Sequence, residues 1–191
     1  MGKDMIKLGL NLLIISAVAA LLLALTNSVT AGTIAQRSEQ ANAEDRKLVL
    51  DSAETFEEVK DVNTDNSKGI EVAEVYEAKD ASGNTVGYTL KVVPSGYGGD
   101  IELMVGIDSA NSQVSGINVV SNSETAGLGA RSTEPEFSDQ YKGKPLEELS
   151  VLKNGTPGDT EIKAISGATI TSTAVTNGVD AAIEVYNNSL K

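Results

Sequence analysis

The stretch KAISGATITSTAVTNGVD at 163–180 concentrates six Ser and Thr hydroxyls and two glycines at the start of the predicted last helix. The first turn of a helix offers unpaired N–H groups and the positive end of the helix dipole, and both favour an anion. Gly167 and Ala168 would let a phosphate come close, so a bound or covalently attached phosphate is one interpretation. Ordinary helix capping by Ser or Thr is the other. The hydroxyls concerned belong to Ser166, Thr169, Thr171 and Ser172.

Composition excludes several classes of function. The chain has 191 residues, with 15 Lys and Arg against 27 Asp and Glu, and a formal net charge of −12. Because nucleic-acid binding depends on cationic contacts to phosphates, we expect no nucleic-acid partner. The chain contains neither Cys nor His, so Ser-His-Asp or Cys-His catalysis cannot be built from it alone. We predict no catalytic residue and no metal ligand, and redox chemistry would need an organic cofactor.

Residues 8–25, LGLNLLIISAVAALLLAL, form an uncharged and largely apolar run. As a helix it would reach roughly 27 Å, close to the thickness of the hydrocarbon core of a bilayer. Lys3 and Lys7 precede the run and the next basic residue is Arg37, so the positive-inside rule places the N-terminus in the cytoplasm. We predict a single-pass protein of the cytoplasmic (inner) membrane whose C-terminal part is extracytoplasmic. A cleaved signal peptide with a small-residue site at 29–31 is the alternative.

The part of the chain after the membrane span is predicted to be α+β. Segment 34–59 lacks Gly and Pro and is rich in helix formers, so it is predicted as one or two helices. The strand segments that follow are joined by hairpin-sized connections, which imply an antiparallel sheet. Helices at both ends of this sheet give the α+β class. The four predicted strands lie at 70–80, 85–93, 100–108 and 114–121.

The predicted organisation has three parts. Residues 1–32 hold the cytoplasmic N-terminus and the transmembrane helix, 33–69 a helical connector, and 70–191 an extracytoplasmic domain. Within that domain we expect a short helix at 135–141 and a loop at 153–164. Six apolar residues of the last helix fall near one face, as the buried face of an amphipathic helix does. They are Ile170, Ala174, Val179, Ala182, Ile183 and Tyr186.

Two motifs carry a resemblance to a known family. The sequence SGATITS resembles the flavinylation motif of FMN-binding domains. These domains occur in the G subunit of the Rnf electron-transport complex (RnfG) and in the C subunit of the sodium-pumping NADH:quinone reductase (NqrC). GYGGDIELMVGID and SETAGLGARSTEPEF, within 96–137, are similar to the family's G-Y-G-G strand and its S-E-T-P-G-L-G loop. The resemblance covers the N-terminal span and nearly all of the exported part, and it favours RnfG.

The resemblance implies a function and a set of partners. The chain would be the electron-carrying subunit of an ion-translocating ferredoxin:NAD oxidoreductase, an enzyme complex in which this chain has no catalytic machinery of its own. In the family, FMN is joined through a phosphoester to the last residue of the S/T-G-A-T element, which is Thr169 here. The other subunits of the complex, and a flavin transferase that installs the FMN, are the implied partners.

The resemblance also implies which residues contact the cofactor. Backbone amides and a small apolar side chain of the glycine-rich loop would approach the flavin ring, and two polar residues would lie near its polar edge. Tyr97 and Tyr141 could stack on the ring, although a core or rim position is the alternative for each. Apart from the hydroxyl-rich turn with Gly167 and Ala168, the predicted cofactor-binding residues are Glu124, Thr125, Gly127, Leu128 and Gly129.

Three positions depart from the family pattern. Lys163 stands where the flavin-transferase motif usually has Asp, Ala126 where the loop usually has Pro, and Asn122 where His is frequent. Two alternatives therefore remain beside the Rnf protein. One is NqrC of the quinone reductase, although that family tends to have longer chains. The other is a membrane-anchored extracytoplasmic binding module without a flavin, which Lys163 favours.

Overall fold

The computed structural model describes residues 2–191, with side chains from Asp4 onward. The chain divides into two compact units, one ending at Asn42 and the other comprising Ala43–Lys191. The second unit contains all of the strands and the hydrophobic core.

The first helix, α1, spans Gly2–Val49 without interruption. An 18-residue window within it has a mean hydropathy of 2.6 and is not buried at all, so α1 is long and apolar enough to cross a membrane. Thr26 and Thr30 each donate their hydroxyl to the carbonyl four residues earlier, at 2.9 Å. These bonds pair the two hydroxyls with carbonyls of the same helix.

The prediction of helix up to residue 59 is wrong beyond Val49. The first strand, β1, spans Thr55–Glu58 and pairs antiparallel with the second strand. Leu50 and Ala53 are buried beside Ala78 in a small apolar cluster, which anchors the turn that ends the helix. Helix propensity is a weak preference, and the hydrogen bonds offered by the sheet edge override it here.

The five strands form one antiparallel sheet in sequential order, so the predicted sheet and the α+β class are confirmed. The strand boundaries agree with the predicted ones within two residues. After β1, the strands are β2 Glu71–Lys79, β3 Thr85–Val93, β4 Glu102–Asp108 and β5 Gln113–Ser121.

Both faces of this sheet are covered. The long C-terminal helix α3, Thr169–Val185, packs on one face. There a Cβ added to Gly178 would come 3.1 Å from Leu103, so the helix approaches β4 closely. Gly106, whose neighbour Val105 lies in the core, has Val49 against it. Since neighbouring strand residues face opposite sides, the end of α1 covers the other face, and the Ser115 hydroxyl donates to the Val49 carbonyl at 2.5 Å.

The predicted short helix at 135–141 is present as α2, Pro135–Ser138, followed by a 3₁₀ turn at Asp139–Tyr141. Tyr141 is fully buried, and its hydroxyl shares a hydrogen bond with the Thr176 hydroxyl at 2.7 Å. Its ring meets Phe137 edge-on, with centroids 5.6 Å apart. Tyr141 is therefore a core residue, which was the alternative to its stacking on a flavin.

The predicted loop at 153–164 is wrong at its end. A strand, β7 Glu161–Lys163, pairs in parallel with β6 Ser150–Leu152. Each of these strands has three residues, too few to show an alternating pattern. Burial of Ile162 fixes β7 against the core.

Asp180 is a buried charge on α3. Its side chain is 4% exposed, and one carboxylate oxygen accepts the Leu149 N–H at 2.8 Å. The Lys68 ammonium lies 3.9 Å from the other oxygen and also contacts Glu148 at 2.6 Å. Burial raises the pKa of Asp180 to about 6, against the lowering effect of the Leu149 N–H and Lys68. The carboxyl is thus easier to protonate in the folded chain than in the unfolded one.

The raised pKa makes the stability contributed by Asp180 depend on pH. Because the folded pKa exceeds the unfolded value of 3.8, this contribution is full below that value and is lost as pH rises through about 6. We expect Asp180→Asn to flatten the Tm-versus-pH profile in that window, whereas the control Glu58→Gln keeps the parent's slope. Thermal unfolding of the three chains across the window measures this, and parallel profiles would contradict the linkage.

Packing between α3 and β4 predicts a large cost for truncating Leu103, which is 0% exposed. Leu103→Ala should lower the free energy of unfolding by about 2–5 kcal/mol, because the removed atoms leave a cavity. The matched control is Leu48→Ala, since Leu48 is 70% exposed and its truncation should cost less than about 0.5 kcal/mol. Urea unfolding followed by circular dichroism compares the two, and equal midpoints would refute this account of the core.

Candidate functional site

A cavity of about 550 Å³ opens at the N-terminus of α3. Its volume lies within the range typical of small-molecule sites. Three segments that are distant in sequence meet there: the G-Y-G-G loop, the loop after β5 and the hydroxyl-rich turn. The lining residues are Tyr97, Glu124, Thr125, Leu128, Gly129, Gly167, Ala168, Thr169, Ile170 and Thr171.

The first turn of α3 faces this cavity through Thr169, Ile170 and Thr171. The residue at the N-cap is Ala168, with φ −132° and ψ 46°, whose methyl group cannot cap the helix. The sequence alternative, in which a Ser or Thr occupies the N-cap, is therefore not what the structure shows. The unpaired N–H groups and positive dipole end expected of a helix start are available to a ligand anion.

The hydroxyl-rich turn is shaped by one glycine and one serine. Gly167 has φ +77°, in the left-handed region that favours glycine. A Cβ at this position would come 3.1 Å from the Leu128 side chain, so the turn lies against the loop after β5. Ser172 closes the turn, because its hydroxyl accepts the Ile165 N–H at 2.9 Å and donates to the Ala168 carbonyl at 3.0 Å.

The predicted hydroxyls have different surroundings. Thr169 is partly exposed on the cavity wall, and no hydrogen bond of its hydroxyl is found within residues 2–191. Thr171 is buried and donates to Glu124, and Ser172 is buried within the turn. Ser166 lines a separate cavity of about 300 Å³. The structure therefore brings Thr169 and Thr171 to the larger cavity and leaves Ser166 and Ser172 off its wall.

Glu124 joins the three segments through both of its carboxylate oxygens. Oε1 accepts the backbone N–H groups of Tyr97 at 2.8 Å and Gly98 at 2.9 Å. Oε2 accepts the Thr171 hydroxyl at 2.7 Å. Burial by itself would raise the pKa of Glu124, but the bonds from Gly98, Thr171 and Tyr97 outweigh it and lower the pKa below its ordinary value. Glu124 is thus a clamped, ionised carboxylate.

Glycines make room for this carboxylate. A Cβ at Gly129 would overlap Glu124 Oε2 and Thr171 Oγ1, and a Cβ at Gly96 would overlap Glu124 Oε1. The sequence interpretation assigned Gly129 to close approach of a flavin, and the structure shows a close approach to Glu124. Gly127 lies off the cavity wall and has φ +76°, which suits the turn of its loop.

An apolar rim surrounds the cavity. Tyr97 is 71% exposed, Ile170 57% and Leu128 43%. Within the described unit Ala43–Lys191, Leu48 is the only other large apolar side chain with comparable exposure. The predicted burial of Ile170 on the inner face of α3 is therefore wrong, because the first turn of the helix lines the open cavity. The other five residues of that face are buried.

Two of the positions that depart from the family pattern have structural partners. The side-chain oxygen of Asn122 accepts the Glu124 N–H at 3.1 Å, so it shapes the loop that carries the carboxylate. Lys163 lies on β7, where its backbone N–H donates to Gln140 at 2.7 Å. Its side chain is exposed and lines the smaller cavity with Ser166, away from the residues around Thr169.

Comparisons with known proteins agree with these motifs. Residues 96–184 match the FMN-binding domain, and residues 1–44 match the RnfG N-terminal region. The G subunit of the Na(+)-translocating ferredoxin:NAD(+) oxidoreductase complex of Acetobacterium woodii is 47% identical, over 99% of this chain and 95% of that one. The chain belongs to the RnfG family. The family predicted from sequence is confirmed.

Further members of this family match over most of their length. The G subunit of the ion-translocating oxidoreductase complex of Methanosarcina acetivorans is 38% identical, covering 96% of this chain and 95% of its own. The G subunit of the proton-translocating ferredoxin:NAD(+) oxidoreductase complex of Clostridium ljungdahlii is 32% identical, covering 91% and 87%. The full-length resemblance is thus to RnfG proteins.

Solved structures support the fold. The C subunit of the Na(+)-translocating NADH-quinone reductase of Parabacteroides distasonis superposes with a TM-score of 0.58 at 21% identity, covering 80% of this chain and 93% of that one. NqrC of Shewanella oneidensis gives a TM-score of 0.54 at 22% identity, covering 73% and 70%. The fold is shared with these two proteins, although the sequences have diverged widely.

Sequence reasoning missed two features of the site. The backbone N–H groups of Tyr97 and Gly98 donate to Glu124. The glycines of the G-Y-G-G motif indicate only that another group comes close to the backbone there, and they do not identify Glu124 as that group. Ile170 lines the cavity although helical periodicity placed it on the buried face. Both features depend on contacts between segments that are far apart in the sequence, and such contacts cannot be predicted from the spacing of residues.

The tight seat of Glu124 predicts the effect of adding one methyl group at Gly129. Gly129→Ala should break the Glu124–Thr171 bond and lower the free energy of unfolding by about 1–3 kcal/mol, because the added atom overpacks the clamp. Gly116→Ala is the matched control, since a Cβ there would have its nearest contact at 3.6 Å, an ordinary van der Waals distance. Urea unfolding compares the two variants, and equal effects would show that the clamp is not tightly packed.

Proposed function

We propose that this chain is the electron-carrying subunit of a membrane-bound, ion-translocating ferredoxin:NAD oxidoreductase and holds FMN through a phosphoester to Thr169. The observation that carries the proposal is the position of Thr169. It matches the attachment position of the family motif, starts α3 and lies on the cavity wall with no hydrogen bond of its hydroxyl among the described residues. The names of the full-length relatives support the complex.

The residues around Thr169 fit FMN. The helix start suits a phosphate, and Gly167 and Ala168 carry no side chain that would fill the approach. Tyr97, Leu128 and Ile170 offer apolar surface for a flat ring and would shield it from water. When bound, FMN would supply reversible electron transfer, which the side chains of this protein do not provide.

The chain's own part in attachment is to present one hydroxyl. Thr169 Oγ1 would form a new bond to the phosphorus of an activated flavin phosphate, and the hydroxyl proton would be released. The P–O bond to the leaving group would break, and the leaving group would depart with that electron pair. Since no catalytic group is predicted in this chain, a separate flavin transferase would carry out the step. The bond would keep the flavin from diffusing away outside the cytoplasm.

The remaining predicted residues support the site in different ways. Thr125 and the backbone of Leu128 and Gly129 would lie next to the flavin ring, because they form part of the cavity wall. Gly127 would shape the loop. Ser166 and Ser172 would act on the conformation of the hydroxyl-rich turn more than on the cofactor, since neither lies on that wall.

The proposal includes a topology. Residues 8–25 of α1 would span the cytoplasmic membrane once, with Lys3 and Lys7 on the cytoplasmic side. Residues 1–32 would form the anchor, 33–69 the connector and 70–191 the extracytoplasmic flavin domain. Strand β1 belongs to the connector range but pairs with the sheet of the flavin domain. Other subunits of the complex would provide the electron donor and acceptor.

A membrane-anchored binding module without flavin is the second candidate. The observation that favours it is Lys163, an exposed side chain at the position where the flavin-transferase motif has Asp. If the transferase requires that Asp, the domain would fold and bind its partners without a cofactor.

Attachment at Thr169 predicts the outcome of removing its hydroxyl. Coexpression of the chain with a flavin transferase should give a yellow protein whose intact mass exceeds that of the polypeptide by one FMN less one water. Thr169→Ala should remain folded but colourless. The matched control is Thr173→Ala, because Thr173 is an exposed hydroxyl on the same helix that does not line the cavity.

Mass spectrometry of the peptide containing residue 169 decides between the candidates. Flavin on the parent and on Thr173→Ala, but not on Thr169→Ala, is the expected pattern. An adduct that persists in Thr169→Ala would move the attachment elsewhere. Parent chain isolated from its native membrane without any adduct would leave the binding module as the function.

A further inference from the structure

We propose that Glu124 is a positioning residue that also lowers the reduction potential of the FMN held at Thr169. This inference rests on the proposed function. It assigns to Glu124 a different role from the direct contact with the polar edge of the ring that the family resemblance implied.

Both oxygens of Glu124 are already engaged by the protein. Oε1 holds the N–H groups of Tyr97 and Gly98, and Oε2 holds the Thr171 hydroxyl. The protein thus occupies three of the roughly four acceptor sites of this carboxylate. The glycines at 96 and 129 lie close to the carboxylate, and an added Cβ at either position would overlap one of its oxygens. Glu124 therefore holds the cavity wall in place.

Glu124 is also the one charged residue among the described residues that line this cavity. Its pKa lies below the ordinary value of 4.5, so it is ionised at neutral pH. Each electron that reaches the cavity without an accompanying proton adds one negative charge there. A fixed carboxylate disfavours that charge, and the effect is larger in a partly desolvated wall than in water. The oxidised form is stabilised relative to the reduced form.

The hydrogen bonds around Glu124 allow its negative charge to be removed while all three bonds are kept. In Glu124→Gln, the amide oxygen can accept from Tyr97 and Gly98 while the amide NH₂ donates to Thr171, because a hydroxyl both donates and accepts. Thr171→Val does the reverse: it removes one of the three donors and leaves the charge, which is then less compensated. The two variants should move the potential in opposite directions.

The test is a spectroelectrochemical titration of the full-length chain, coexpressed with a flavin transferase, at neutral pH. Glu124→Gln should increase the equilibrium constant for flavin reduction at least tenfold. For a two-electron couple this is a rise of about 30 mV in the midpoint potential. Thr171→Val should lower the midpoint. The matched control is Glu58→Gln, which removes the same charge from β1, the sheet edge opposite β5, and should leave the midpoint unchanged.

The outcomes separate this inference from the proposed function. If the parent chain acquires no flavin, both the proposed function and the role of Glu124 are refuted. A loaded parent and a loaded Glu124→Gln with equal midpoints, or a lower midpoint in the variant, overturn the role of Glu124 and leave the function standing. A shift of both variants in the same direction indicates a loosened cavity and also overturns it. If Glu124→Gln does not acquire flavin, Thr171→Val decides: a fall supports the inference, and a rise or no change overturns it.

Discussion

The hydrogen bonds accepted by Glu124 hold together three segments that lie far apart in the sequence. They connect the G-Y-G-G loop, the loop after β5 and the first turn of α3 at one cavity. An ionised carboxylate that accepts three donors is a strong and directional connection. It also explains why glycine occupies positions 96 and 129, where any side chain would overlap the carboxylate.

The sheet positions both the loop that carries Glu124 and the helix α3. Sequential antiparallel pairing brings β5 to one edge, and the loop that carries Glu124 follows directly from it. α3 packs on one face of the sheet through Gly178 and Leu103, and its first turn lines the cavity. The end of α1 covers the opposite face. The core therefore fixes the direction of α3, and the direction of α3 fixes the position of Thr169.

Sequence reasoning captured what local patterns encode. Alternation and turn residues located β2 to β5, and the apolar run located the membrane-length helix. Two motifs that resemble those of the FMN-binding family predicted most residues of the cavity wall. It failed where long-range contacts decide. The helix-rich composition after Val49 did not reveal that residues 55–58 pair with a sheet edge, and β6 and β7 are too short for a pattern. Ile170 is exposed because the first turn of α3 lines the cavity, and helical periodicity does not indicate where a cavity lies.

Ala168 at the start of α3 has a consequence for maturation. A Ser or Asp at that place would be worth about 1 kcal/mol to the helix, and alanine gives up this contribution. In the proposed holoprotein, the esterified phosphate would complete the helix terminus that the polypeptide leaves uncapped. Cofactor loading would then also stabilise the first turn of α3, in addition to modifying the chain chemically.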